Sequence, residues 1–165
     1  MLYTVYQQSE PRSYDRGFYF RDLEVHMTVE VIKINFDDTY VIRHEVMWPD
    51  RELDCIKLEF DPEGLHYGVQ VDGILVSVIS LFISDRDQSA QFRKFATLKT
   101  YQGQGYGGIL LSKLIEDSKE RKIKRLWCNA RLDATGLYEK YGLKKTDQTF
   151  NKGGQSYVIM EVNFK

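Results

Sequence analysis

From Tyr101 to Gly108 the chain reads YQGQGYGG, and ILLSKLIEDSKE follows at once. Glycine loses more backbone freedom on folding than any other residue, so Gly103, Gly105, Gly107 and Gly108 do not suit the interior of a regular element. The residues after them do. Leu110 pairs with Leu114 and Leu111 with Ile115 at i,i+4 spacing, the mark of an amphipathic helix. The residues before them, SAQFRKFATL, read as a strand. A strand, a glycine turn and a helix make a ready anion site. The first N–H groups of a helix have no partner inside it, the helix dipole adds positive partial charge, and glycine lets a ligand approach the backbone.

One reading of the turn is a dinucleotide fingerprint, since Gly103, Gly105 and Gly108 are spaced G-x-G-x-x-G. That motif needs an acidic residue about 20 positions on, at the tip of the next strand, to hold a ribose. The tip here is Cys128-Asn129-Ala130-Arg131, with no acid. The turn also follows a hairpin, and too little chain remains for a doubly wound sheet. A P-loop fails as well, because no Gly-Lys-Ser/Thr follows.

The flanking patterns give the architecture. MTVEVIKI, opening at Met27, predicts a strand, and NFDDTYVIRHEVMWP a helix that Asp37 or Asp38 caps and Pro49 stops. DRELDCIKLEFDPEG is loop-like, turning at Asp61-Pro62-Glu63-Gly64. HYGVQVDGILVSVISLFIS predicts a hairpin around Asp72-Gly73. KRLWCNA is a further strand, DATGLYEKYG a short helix capped by Asp133 and ended by Gly142, and LKKTDQTF with QSYVIMEVNF a closing hairpin. Tight turns force antiparallel neighbours, while a helical crossover makes the strands flanking the central helix parallel. The expected fold class is α/β in the α+β sense: a mixed, mostly antiparallel central sheet flanked by helices.

The 165 residues suit one domain at 27–165, preceded by an aromatic-rich arm over 1–26. The arm holds Tyr3, Tyr6, Tyr14, Phe18, Tyr19 and Phe20, too many aromatics for a solvated tail, and is expected to dock on its own domain or on a second subunit of a homodimer. Lys and Arg number 23 against 24 Asp and Glu, so bulk charge gives no argument for nucleic acid or a membrane surface as partner. The basic stretch Lys119 to Arg125 reads as a solvated helix end. Cys55 and Cys128 form no C-x-x-C pair, and His26, His44 and His66 lack metal-ligand spacing, so reduced thiols, a cytoplasmic location and no metal are expected. Cys128 reads as a core residue.

FATLKTYQGQGYGGILLSKLI resembles the core motif of the GNAT superfamily of N-acetyltransferases, strand then Q/R-x-x-G-x-G/A then helix, with the motif at Gln102-Gly103-Gln104-Gly105-Tyr106-Gly107. A second block, NARLDATGLYEKYGLKKT, is similar to the later signature of that family and matches at Ala134, Leu137, Tyr138, Gly142 and Leu143. The two blocks stand in the family's order. The resemblance covers about residues 90–145 and none of the arm.

That resemblance implies transfer of an acetyl group from acetyl-CoA to a primary amine of a small molecule or an exposed amino group. It implies that backbone N–H groups from Gly103 to Gly108 hold the CoA pyrophosphate, and that the backbone of Phe95, Ala96 and Thr97 pairs with the pantetheine arm. Gln102 and Gln104 belong to the loop, and Tyr106 either covers the cofactor or packs. It also implies that Tyr138 is the general acid for the departing thiolate, while Tyr141 packs. Where relatives carry an Asn that contacts CoA, seven residues before the tyrosine, this chain has Arg131, with Asn129 two earlier. Both are candidates for the cofactor, and Arg131 alternatively pairs with Asp133. Lys99 stands where proline is common in the family. No Glu occupies the strand before the glycine turn, which leaves Glu45, Glu59, Asp85 or a water chain as base. His44 and Trp48, i,i+4 partners, are candidates for shaping the acceptor pocket. The alternative function is an acyl-CoA-binding sensor on the same fold, without turnover.

Overall fold

The computed structural model describes residues 2–4 and 27–165. Beyond Leu2–Thr4, the arm expected over 1–26 lies outside the described residues. The described chain forms one mixed sheet of eight strands with helices on both faces. The strands are β1 (Leu2–Thr4), β2 (Thr28–Ile34), β3 (Leu65–Val71), β4 (Ile74–Ser84), β5 (Ser89–Thr97), β6 (Arg125–Arg131), β7 (Lys144–Lys152) and β8 (Gln155–Asn163). Their spatial order is β1-β2-β3-β4-β5-β6-β8-β7. Among the described strands only β5 and β6 run parallel, joined by the crossover helix α2 (Tyr106–Glu120). The other two helices are α1 (Tyr40–Met47) and α3 (Thr135–Lys140).

The hairpin at Asp72-Gly73 has the expected two-residue loop, with both residues at positive φ, 50° and 80°. That is the primed turn whose twist matches the strands it joins. The predicted closing hairpin is β7–β8, and the two strands flanking the central helix are parallel as expected.

The larger core lies between the sheet and α2. Leu110, Leu111 and Leu114 are fully buried against Tyr67, Ile79, Leu81, Phe92, Leu126, Cys128 and Met160. Each such leucine contributes about 1.5–3 kcal/mol by leaving water. A smaller core on the opposite face holds Ile42 of α1 with Val78 and Ala96, flanked by Val46, Met47 and Leu98. Strands alternate faces, so Leu126, Cys128 and Ala130 of β6 point toward α2, whereas Trp127, Asn129 and Arg131 point away from it.

Three local expectations differ from the structure. The Asp37–Thr39 turn is 3-10, and neither aspartate caps α1; Asp38 instead accepts the Asn35 N–H at 2.9 Å. The Asp133 carboxylate does not cap α3, because Arg131 binds it with contacts of 3.1 and 2.6 Å. α1 ends at Met47, so Trp48 leaves the helix with φ −150° and shares no helical face with His44. Gly142 does end α3 at φ +85°: its N–H donates to the Glu139 carbonyl and that of Leu143 to the Tyr138 carbonyl, a C-terminal cap.

Candidate active site

The ladder between β5 and β6 is short. Only Ser89, Ala90 and Gln91 pair, with Arg125, Leu126 and Trp127. Beyond Gln91 the two strands part. The cause is a bulge in β5. Val78 of β4 faces Ala96 and Ser80 faces Arg93, so Ile79 opposes both Lys94 and Phe95. Lys94 takes φ +53° to accommodate the extra residue. An inserted residue bends its strand and increases twist, which swings the end of β5 away from β6.

The opening leaves half of a strand edge free. Leu98 donates to the Val76 carbonyl at 2.9 Å, so by alternation Ala96 also turns its polar groups toward β4, and Phe95 and Thr97 turn theirs toward the opening. Of the three residues expected to pair with a pantetheine arm, only Phe95 and Thr97 therefore present backbone groups there. The Thr97 carbonyl accepts a hydrogen bond from the Gln102 side chain at 2.8 Å, which anchors the glycine turn to the strand. Gln104 donates in the same way to the Thr100 carbonyl at 2.8 Å.

The glycines of the turn have different physical causes. Gly103 and Gly105 sit at φ +75° and +90°, a region that penalises any Cβ. Gly107 and Gly108 have ordinary dihedrals but no room. A Cβ at Gly107 would lie 3.0 Å from the Phe95 ring, and one at Gly108 would fall on the Tyr141 hydroxyl. Tyr141 thus packs, as expected, and fixes the start of α2 against the end of α3. The first bond of α2 runs from the Ile109 N–H to the Gly105 carbonyl at 3.1 Å. Among the described residues, no hydrogen bond takes up the backbone N–H groups of Gly103 through Gly108. Gly103, Gln104 and Gly105 are exposed, so these donors face a region that a ligand can enter. The Tyr106 ring is buried beside Tyr101, at 6.0 Å between centroids, which leaves only its backbone for a ligand.

Tyr138 stands in the opening. Its ring lies 5.8 Å from that of Phe92 and 6.4 Å from that of Phe95, and it comes from the α2 face. Among the described residues its hydroxyl has no hydrogen-bond partner. Burial first, and the neighbouring Cys128 thiol second, push its pKa above the ordinary tyrosine value, so the phenol holds its proton throughout the neutral range. Burial likewise raises Cys128, to about 12, which makes it an inert core thiol. Asn129 and Arg131 are exposed on the face of β6 turned away from α2, and Arg131 is bound to Asp133. The structure therefore brings together the glycine turn, the strand edge at Phe95 and Thr97, whose Thr97 carbonyl already holds Gln102, and Tyr138, while Asn129 and Arg131 lie on the opposite face. The described residues hold no group of three or more acidic, His or Cys side chains fit for a metal. No described helix is long and apolar enough to cross a membrane.

The α1 face was not legible in advance. Arg43, fully buried, grips Asp61 through both guanidinium ends, at 2.8 and 3.0 Å, and donates to Ser80 Oγ at 2.6 Å. His66 bridges Ser80 Oγ at 2.7 Å and the Asp61 carbonyl at 2.8 Å. His44, a candidate for the acceptor pocket, bonds through Nε2 to the Arg51 carbonyl at 2.6 Å and so ties α1 to the following loop. Lys94 lies with Nζ 4.4 Å from the centroid of the Trp48 ring. Glu45, Glu59 and Asp85, the candidate bases, are all exposed. One signal for the bulge was present in the sequence. Phe92 and Phe95 are three apart in a strand whose alternation puts like residues two apart.

Comparison with known proteins agrees with this fold. The sequence model of the Acetyltransferase (GNAT) family matches residues 29–143. An uncharacterized N-acetyltransferase of Bacillus subtilis, YitI, is 34% identical over 140 residues, covering 80% of this chain and 94% of its own. A solved structure from Lactobacillus plantarum superposes with a TM-score of 0.73 at 21% identity, over 82% of this chain and 97% of that one. A GNAT acetyltransferase from Elizabethkingia anophelis, solved with acetyl-CoA bound, gives 0.63 at 19% identity, over 82% and 98%. At these identities the two structures speak for the fold alone.

Proposed function

Because the chain belongs to the GNAT family of acetyltransferases, we propose that it transfers the acetyl group of acetyl-CoA directly to a primary amine, with Tyr138 as general acid. The observation that carries this reading is the coincidence of two features at one opening. A row of N–H groups with no partner among the described residues runs from Gly103 to Gly108, and a protonated tyrosine hydroxyl stands where β5 and β6 part.

The residues present fit acetyl-CoA. The N–H groups at the start of α2 are suited to its pyrophosphate, since they are unpaired and the helix dipole favours negative charge there. The backbone of Phe95 and Thr97 is suited to its amide-bearing arm, which adds to a strand edge as a peptide does. Gly107 matters because any side chain there would press on Phe95 and fill the approach. When bound, acetyl-CoA supplies an activated acyl group with a thiolate as leaving group. The chain itself holds the thioester against the bulge, and most of the acceleration comes from that positioning. Tyr138 Oη keeps a proton available for the leaving sulfur, and burial keeps that proton in place.

Thermal unfolding with acetyl-CoA, CoA and NADH in parallel tests the ligand, since a ligand that binds the native state raises the melting temperature. A rise with both CoA species and none with NADH is expected. Free-thiol release with a panel of amines then separates an enzyme from a sensor that only binds. A rise with NADH alone overturns the reading.

A further inference from the structure

The bulge that opens the sheet also presents a side chain. Lys94 is a non-glycine residue at φ +53°, a conformation uncommon outside glycine and one that clusters at functional sites. Its neighbour Phe95 turns toward Tyr138 and the α2 face. Lys94 turns the other way, onto the Trp48 ring at the end of α1. On the α2 side of the opening Phe92 is buried and Tyr138 partly buried in the larger core, which leaves the side where Lys94 and Trp48 stand for an acceptor amine.

Lys94 is half-buried. Among the described residues no carboxylate lies within ion-pairing distance of it. The charged and titratable groups around it are Arg43 on α1, Arg93 on β5, and Asp61 and the Cys55 thiol in the loop after α1. Asp61 is already committed to Arg43 and to the Leu58 N–H. What remains is positive. Burial, then Arg43 and Arg93, lower the Lys94 pKa to about 8, the behaviour of a cation that lacks a counter-ion.

We propose that Lys94, held against Trp48, binds a carboxylate of the acceptor, so that the amine acetylated here belongs to a small molecule that also carries an acid, an amino acid being the simplest case. The inference rests on the acetyltransferase reading above. An ammonium on a four-carbon stem is a point charge that takes a carboxylate by charge-assisted hydrogen bonds. Trp48 offers a flat apolar wall beside it for the rest of the acceptor. A polycationic amine would meet Lys94 and Arg93 with like charge and be disfavoured.

The test uses the full chain and matched amines: phenylalanine with phenethylamine, tryptophan with tryptamine, then spermidine and a short peptide with an acidic first residue. Free-thiol release gives kcat and KM for each, and thermal unfolding with acetyl-CoA is followed in parallel. Each acid is expected to exceed its decarboxylated partner by about tenfold or more in kcat/KM, a differential binding effect read in KM. Lys94→Gln should remove that preference, with KM for the acids rising far more than KM for their decarboxylated partners and the acetyl-CoA shift retained, and Lys94→Arg should keep most of it. Above pH 8 the preference of the wild type should shrink as Lys94 loses its charge, with the decarboxylated partner as reference. Equal or reversed preference in the wild type overturns the proposal, as does preference for the peptide over every free acid. A Lys94→Gln loss that falls equally on both partners assigns Lys94 to the chemistry instead and also overturns it. Stabilisation by acetyl-CoA without acetylation of any acid overturns the acceptor assignment and leaves the cofactor site standing. Absence of that stabilisation would mark failure of the acetyltransferase reading itself.

Discussion

The two faces of β5 are built from different materials. On the α2 face the site is mostly backbone: unpaired N–H groups, a free strand edge, glycines that keep the approach clear, and one tyrosine hydroxyl. On the α1 face it is side chains. Arg43, Asp61, Ser80 and His66 form a buried network, and Lys94 lies over Trp48. A backbone-built site tolerates few sequences, because only glycine satisfies its turns, and so it repeats as a motif. A side-chain site is assembled from residues far apart in the chain and is free to change with the acceptor. The difference separates what is common to a reaction from what selects a substrate.

The largest expected effect breaks the α1 side. Arg43→Ala leaves the Asp61 carboxylate buried without its partner, and removing one member of a buried pair costs about 3–5 kcal/mol. Urea unfolding measures it. If the pair serves to hold the loop rather than to add net stability, Arg43→Met combined with Asp61→Leu should recover much of the loss, because two charges no longer need desolvation. A loss below about 1 kcal/mol for Arg43→Ala would place the pair among exposed, weak ones and remove the contrast between the faces.

The α2 side should fail in rate rather than in stability. Tyr138→Phe keeps the rings packed on Phe92 and Phe95 and removes a hydroxyl that bonds no described residue. Loss of a positioned general acid lowers kcat by about 10²-fold or more, while the urea midpoint should hardly move. Since burial raises the Tyr138 pKa, the wild-type rate should show no alkaline fall from this group below pH ~10, the ordinary tyrosine value. Unchanged kcat in Tyr138→Phe would leave the proton to another donor.

That division also explains what could be read without coordinates. The glycine turn, the crossover helix, the parallel pair and the Asp72-Gly73 hairpin follow from local rules acting over a few residues. Gly108 was legible as part of a motif, but its reason was not, since the hydroxyl it accommodates belongs to Tyr141 on another helix. The bulge at Lys94 carries neither glycine nor proline, and its one trace in the sequence is the three-residue spacing of Phe92 and Phe95. Asp61 read as part of a turn, Asp-Pro-Glu-Gly, and is fully buried because Arg43, 18 residues away, reaches it. Local chemistry announces a turn, but it does not announce which distant charge will meet it.

A smaller effect sharpens the account of the turn. Gly105→Ala meets no atom within 4 Å, so its penalty is backbone strain alone, from φ +90°. A non-glycine residue held in such a region costs on the order of 1–3 kcal/mol, and Gly105→Asn should cost less than Ala because asparagine visits left-handed conformations more readily. Gly107→Ala is strain-free in φ but presses on the Phe95 ring, so it should act on acetyl-CoA affinity more than on the urea midpoint. Equal stability loss in the two would mean that packing, not dihedral angle, governs the whole turn.

The smallest effect concerns His66, whose ring is hemmed by Ser80 Oγ, the Asp61 carbonyl, the Arg43 guanidinium and the Phe82 edge. The bonds define one consistent arrangement. Arg43 donates to Ser80 Oγ, Ser80 donates to Nδ1, and Nε2–H donates to the Asp61 carbonyl, which requires a neutral ring. Burial foremost, with the Arg43 charge adding to it and outweighing the bond to the Asp61 carbonyl and the Asp61 charge, lowers the folded pKa below the ordinary 6.5. The unfolded chain therefore takes up the proton first as pH falls. Stability is at its full value above the unfolded pKa, declines below it, and levels off once the folded ring is protonated too. Urea midpoints at pH 7.5 and 5.5 should show this decline in the wild type and a reduced one in His66→Gln, which keeps a donor and an acceptor but does not titrate. The decline should accompany loosening of the loop after α1 and spare the glycine turn. Protection of the Gly103–Gly108 amides by acetyl-CoA that fell in step with His66 protonation would join the two faces into one cooperative unit.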